Sequence, residues 1–205
     1  MMLHPTLLLV HVFGALALGT GIVGGLHADE CARRALTPGQ LDRALERAQR
    51  WQRRVLIPGT AALLVSGIGL VVTYYGWAFL ALPWLAAMVL LYVVEAVRAN
   101  TLTRRRHAVR LAELARQARV RGRFPPELEH VRRDRAAAFL RWLELTVFLL
   151  VVALGLYRPM AWSTIAVGAA VALLAAAVPA IYVARPVLAA VSSFSSASVD
   201  GDGRT

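Results

Sequence analysis

The chain has 205 residues, 58% of them hydrophobic, and a formal net charge of +11 in which all 23 basic residues are arginine. That apolar content excludes an ordinary water-soluble domain and points to a bilayer as the solvent of most side chains. A single cysteine, Cys31, excludes an internal disulfide framework.

Taken in chain order, five apolar stretches approach or exceed the roughly 20 residues that a spanning helix needs: Pro5 to Leu26, Val55 to Gly76, Ala78 to Val97, Phe139 to Tyr157 and Ala161 to Ala184. They predict an all-α, polytopic transmembrane helix bundle. Residues 1–159 would form a four-helix membrane unit with two basic loops, 160–185 an additional transmembrane helix, and 186–205 a flexible cytoplasmic tail. The first stretch begins MMLHPT and leaves through His27, Asp29 and Glu30. It lacks the basic start and small-residue cleavage site of a secretory signal, so it is expected to be retained.

Twenty of the arginines lie in two connections, Arg33 to Arg54 and Arg98 to Arg141. By the positive-inside rule both face the cytoplasm of a bacterial inner membrane, which places the N-terminus outside and the tail inside. In the first connection, Thr37-Pro38-Gly39-Gln40 has the form of a capping box with proline at the first helical position, so a helix starts there. Leu41, Ala44, Leu45, Ala48 and Trp51 mark its apolar side, and the helix leads into the second span with a break at Pro58-Gly59. In the second connection, Thr101 to Val120 predicts a helix ended by Gly122 and Pro125-Pro126. A new helix begins at Pro126 and runs unbroken through Arg135 and Arg141 into the fourth span. So many arginines would suit nucleic acid in a soluble chain. Here topology alone requires them, and the expected partner is anionic lipid phosphate, at about 1 kcal/mol per residue near the surface, with no nucleic acid.

Small residues mark where helices approach, because lipid gives no hydrophobic drive for apolar helices to associate. Gly59, Ala62, Ser66, Gly69 and Thr73 share one side of the second span; Gly14, Ala17, Gly21 and Gly25 form a stripe on the first. His11 stands beside that stripe, about two turns inside the span. An ionisable group at that depth is a functional-site hypothesis: an axial ligand to haem or copper, or an imidazole satisfied by Ser66, Thr73, Tyr74 or Tyr75 of a neighbouring helix. His4 lies roughly 10 Å higher on the same helix, too far to take the opposite face of the same haem. Glu95 with Arg98, and Glu144 with Arg141, are three residues apart, and are expected to form interfacial ion pairs rather than a proton relay. Tyr74, Tyr75, Trp77 and Trp162 outside, and Trp51 and Trp142 inside, read as interfacial belts.

The opening LLVHVFGALALGTGIVGGLH, the basic loop after it, the IPG of the second span and the YRP closing the fourth resemble an uncharacterised bacterial four-helix integral membrane family of unknown function. That family is distantly similar to HemJ-type protoporphyrinogen oxidases and CopD-type copper proteins, and the likeness covers roughly Leu3 to Pro159. It implies haem b ligation at His11, which matches the histidine early in the first helix of the HemJ-type proteins. The chain departs from that pattern where LALGTGIVGG replaces an aromatic-rich segment with an arginine, and at Ala81 and Leu82, where a lysine is expected; these departures argue against porphyrinogen oxidation.

The sequence therefore predicts a non-catalytic accessory, scaffold or assembly component of a membrane complex, with membrane-protein partners or a second copy of itself. The alternative is a haem b or copper binder centred on His11.

Overall fold

The computed structural model describes residues 3–100, 102–122, 124–132 and 134–183; Ala184 and the Ser-rich tail lie outside them. Eight helices, and no strand, occur among the described residues: α1 (Leu3–Arg33), α2 (Pro38–Trp51), α3 (Ile57–Leu70), α4 (Pro83–Asn100), α5 (Leu102–Arg121), α6 (Pro126–Arg132), α7 (Arg135–Tyr157) and α8 (Trp162–Val183). Among the described residues four helical stretches are long and apolar enough to cross a bilayer: His4–Arg33, Pro38–Ala81, Pro126–Tyr157 and Trp162–Tyr182. α4 carries the third predicted span. It is 18 residues long, about 27 Å of helix, and it carries Glu95 and Arg98 near its end.

Local chemistry explains most boundaries. Thr37 Oγ1 accepts from the Gln40 N–H at 3.3 Å, while Gln40 Oε1 accepts from the Leu36 N–H at 2.8 Å, so the start of α2 is closed by reciprocal side-chain bonds. α1, at 31 residues, is about 46 Å long and continues past a hydrocarbon core of ~30 Å as a stem on the basic side. The break expected at Pro58-Gly59 does not occur. A π-helical stretch over Gln52–Leu56 carries α2 into α3 without interruption, its wider turn absorbing the ring and missing N–H of Pro58. The continuous helix expected from Pro126 into the fourth span does break. α6 ends at Arg132, and Asp134 caps α7 by accepting from the N–H groups of Ala136 and Ala137 at 2.9 and 3.2 Å.

The tightest contact in the bundle joins α1 to α3. A Cβ on Gly14 would stand 2.8 Å from Leu63 N, one on Gly59 2.7 Å from Leu18 N, and one on Gly21 2.9 Å from Leu56 Cα. Partner numbers fall along α3 as they rise along α1, so the helices are antiparallel with their backbones in direct apposition. Gly69 faces Leu7. Thr73 is exposed and lies in a second π-helical stretch, Val71–Tyr75. Gly25 faces the Arg141 side chain instead of α3. α7 packs on both α8 and α4, and α8 turns Ala172, Ala176 and Ala180 inward.

The arginine-rich connections build a second core on the basic side. Ala32 in the last turn of α1, Ala35 just after it, Leu41 and Ala44 of α2, Leu114 and Ala115 of α5 and Leu128 of α6 bury one another, with Leu41 and Leu128 almost fully enclosed. Trp51, expected in an interfacial belt, instead lies over Gly24 of α1, where a Cβ would come within 2.5 Å of its indole. Gly59→Val is expected to lower thermal stability in detergent by about 1–3 kcal/mol, because the new side chain meets backbone that cannot yield. Gly39→Ala, where nothing lies within 4 Å, should leave the midpoint unchanged or raise it; equal losses in the two variants would contradict the packing described.

Candidate functional site

His11 sits on α1 with Nδ1 3.2 Å from Ser66 Oγ on α3. Ser66 is 1% exposed, and its hydroxyl donates to the Ala62 carbonyl at 2.6 Å. A serine hydroxyl has one proton, already committed to that carbonyl, so Oγ accepts from the imidazole Nδ1–H and Nε2 keeps its lone pair. The ring lies against α3 beside Gly67, where a Cβ would be 3.4 Å from Cε1, an ordinary contact. One imidazole nitrogen is thus held by the α1–α3 seam, while the other retains the capacity to accept a proton or bind a metal.

The other histidines of α1 are engaged separately. His4 packs edge-on to Tyr74 with centroids 4.4 Å apart, and His27 Nε2 lies 3.6 Å from the Cys31 thiol, one turn along the same helix. Of the partners open to His11, Ser66 is the one it meets, whereas Tyr75 stacks edge-on against Trp84 at 6.1 Å. Among the described residues no three His, Cys, Asp or Glu side chains converge as a metal-binding group.

Of the two ion pairs expected from the sequence, Glu95–Arg98 forms and Arg141–Glu144 does not. Arg98 bonds Glu95 at 2.6 Å within α4, and its guanidinium also lies 3.7 Å from Glu144 on α7. Arg141 reaches across to Asp29 of α1 at 2.7 Å, so the expected Arg141–Glu144 pair gives way to contacts between helices. Neither side of these pairs is fully exposed. They tie α4 to α7, and α7 to α1, at the level where the apolar spans end.

Two further arginines were not legible as site residues. Arg132 of α6 donates to the carbonyls of Arg33 and Ala35, the latter at 2.9 Å, and stacks over Phe124 at 5.4 Å. It supplies donors to carbonyls at the end of α1, where a helix leaves them without partners. Arg158, in the left-handed region at φ 48°, ends α7 and places its guanidinium 5.4 Å from the Trp84 ring centroid. The weak signal for Arg158 is the YRP sequence, since proline often follows a helix end. Arg132 has no local signal, because its partner carbonyls lie about a hundred residues earlier. In α5, outside the apolar spans, hydrogen bonds from Arg116 and then Gln117 hold the Glu113 carboxyl below its usual range; that pair is fully exposed and only local.

The family described as "predicted integral membrane protein (DUF2269)" matches residues 5–159. That span ends where α7 does, so α8 falls outside it. No curated protein and no solved structure matches the chain.

His11→Ala, Ser66→Ala and the double variant together measure what the seam bond contributes. The coupling is expected on the order of 0.6 kcal/mol, the usual size of a hydrogen bond between membrane helices. A coupling indistinguishable from zero in thermal unfolding would contradict the pairing.

Proposed function

The chain belongs to the DUF2269 family of predicted integral membrane proteins, and from that premise we propose that it is a non-catalytic accessory, scaffold or assembly component of a membrane complex. The observation that carries this reading is the second core on the basic side. Connections that needed only to satisfy topology could be short and unpacked. Here α2, α5 and α6 bury leucine and alanine against the stem of α1, and they turn Arg43, Arg47, Arg50, Arg110, Arg119 and Arg121 outward. A rigid platform with an arginine surface, fixed to the bilayer by apolar helices, is suited to holding a partner at a set distance from the membrane.

The orientation follows the arginines: platform in the cytoplasm of a bacterial inner membrane, N-terminus outside. At the rim of the platform, Arg53 and Arg54 within the π-helical stretch sit beside the start of the α3 span and suit anionic lipid phosphates. The face of the platform is left for a membrane-protein partner or a second copy of this chain, and not for nucleic acid.

A second reading rests on a different observation, the His11 imidazole seated against Ser66. With Nδ1 held by Ser66, the imidazole is oriented as metal-ligating histidines usually are, so His11 fits as one donor to haem b or copper. When bound, such a group would supply one-electron chemistry. His4, committed to Tyr74, does not fit as a second donor.

Affinity purification from native membranes should recover a stable partner, or a homo-oligomer. Reversing Arg43, Arg47 and Arg50 to glutamate should reduce that recovery at least tenfold while the chain stays folded; unchanged recovery would remove the accessory reading. The absorption spectrum decides the second reading: a Soret band lost in His11→Ala supports a haem protein, and a colourless, copper-free preparation excludes it.

A further inference from the structure

Within the two arginine-rich connections, the large hydrophobic side chains left exposed among the described residues are Leu36, Val109 and Val120. Val109, at 68% exposure, and Val120, at 82%, both stand on α5. With Ala112, Glu113 and Arg116, all exposed, they recur at helical spacing along one face. The opposite face carries Leu114, Ala115 and Ala118, which are buried, the first two in the core of the platform. The outer stripe of α5 therefore begins and ends on a valine, with an acid and a base between them.

The order of that stripe makes it complementary to itself. When two α5 helices lie antiparallel about a point between Leu114 and Ala115, Val109 meets Val120 of the second copy and Glu113 meets Arg116 of the second copy, and symmetry makes each contact twice. A parallel pair in register sets acid against acid and base against base, which repel. Glu113 and Arg116 already bond within one chain, at 2.9 and 3.1 Å, so the antiparallel arrangement joins two such pairs into one network while it covers the valines of both copies. Two copies in one bilayer are related by an axis along the membrane normal, which pairs antiparallel only helices that run along the surface. α5 meets that condition. Asp29 and Arg98 stand at one level, tied to α7 through Arg141 and Glu144. Ala32 is about 5 Å beyond Asp29 along α1, and Leu114 is about 24 Å of helical chain beyond Arg98, yet both are buried in the same cluster. α5 thus rises from the membrane by far less than its length.

We propose that the outer face of α5 is a homodimer interface, in which two copies of this chain pair antiparallel through Val109, Glu113, Arg116 and Val120. This rests on the platform reading and gives the second copy a surface of its own, leaving Arg43, Arg47 and Arg50 of α2 to a different partner. Confinement of both chains to one bilayer raises their effective concentration, so a short stripe suffices.

Full chains labelled at the C-terminus with donor or acceptor fluorophores and mixed in liposomes report pairing by energy transfer. Wild-type copies are expected to transfer. Glu113→Arg makes the stripe positive and Arg116→Glu makes it negative, so each alone should lose transfer at least fivefold. The two variants mixed with each other should recover to within twofold of wild type, a rescue that a purely local role for the pair does not give. In a Cys31→Ser background, Val109→Cys and Val120→Cys chains should form disulfide-linked dimers when mixed and not when alone, because antiparallel pairing holds identical positions about 16 Å apart, beyond the reach of a disulfide. If either charge variant loses helicity by circular dichroism, the cysteine chains decide. The proposal is overturned by wild-type copies that show no transfer, by folded charge variants that gain nothing on mixing, or by disulfides between identical positions. A monomeric chain that still recovers a partner through Arg43, Arg47 and Arg50 refutes the dimer and leaves the accessory reading standing; pairing through α5 with partner recovery untouched by the α2 reversal refutes that reading alone.

Discussion

The close approach of α1 to α3 is the contact on which the rest of the bundle is hung. Hydrocarbon surrounds apolar side chains as well as a helix neighbour does, so two membrane helices associate only where their surfaces fit closely enough to gain dispersion and polar contacts that lipid cannot supply. Gly14, Gly21 and Gly59 remove the side chains that would hold the backbones apart. Once the two helices are fixed, the remainder follows by attachment: Gly19 opposes Phe148 and Gly24 opposes Trp51, so α7 and α2 are seated on other faces of the same α1. One helix thereby acts as the spine of both the membrane bundle and the basic platform.

Every backbone polar group within a bilayer needs a partner in the protein, and that requirement accounts for the unusual turns. Pro58 removes one donor from the second spanning helix, and a π-helical turn ahead of it keeps the chain helical instead of exposing a break to lipid. At the end of α1 the carbonyls of Arg33 and Ala35 receive the Arg132 guanidinium, although Arg132 belongs to a different connection. The arginines are thus of two kinds. Arg98, Arg132 and Arg141 are drawn inward as connectors between helices, and Arg43, Arg47 and Arg50 of α2 and Arg110, Arg119 and Arg121 of α5 stay exposed.

His11 and Ser66 form a polar contact within the α1–α3 seam. Ser66 is itself satisfied by its own helix, so it can offer its oxygen to the imidazole without leaving a donor unpaired. This arrangement orients the ring at little cost, and the same orientation suits a packed imidazole or a ligand poised for a metal. The ionic contacts lie apart from it, toward the basic end of α4 and α7, and no chain of ionisable groups links the two levels among the described residues.

The class of the protein, its helical content, the location of its spans and the capped start of α2 were all legible in the residues, because each depends on local hydrophobicity, charge or a cap within four residues of its partner. So was the glycine stripe, whose spacing marks one helical face whatever it meets. The partners were not. Arg141 chose Asp29 over Glu144, Thr73 stayed exposed in a π-helical stretch, Trp51 went to Gly24, and the two basic loops closed on a shared core. Each depends on which helix stands beside which and at what rotation, set by contacts between residues tens of positions apart. By itself the sequence determined that arginine and hydrocarbon would be segregated along a helical membrane chain. Only the tertiary structure decided which arginines became connectors, because a guanidinium's partner is fixed by the distance between helices and not by its place in the chain.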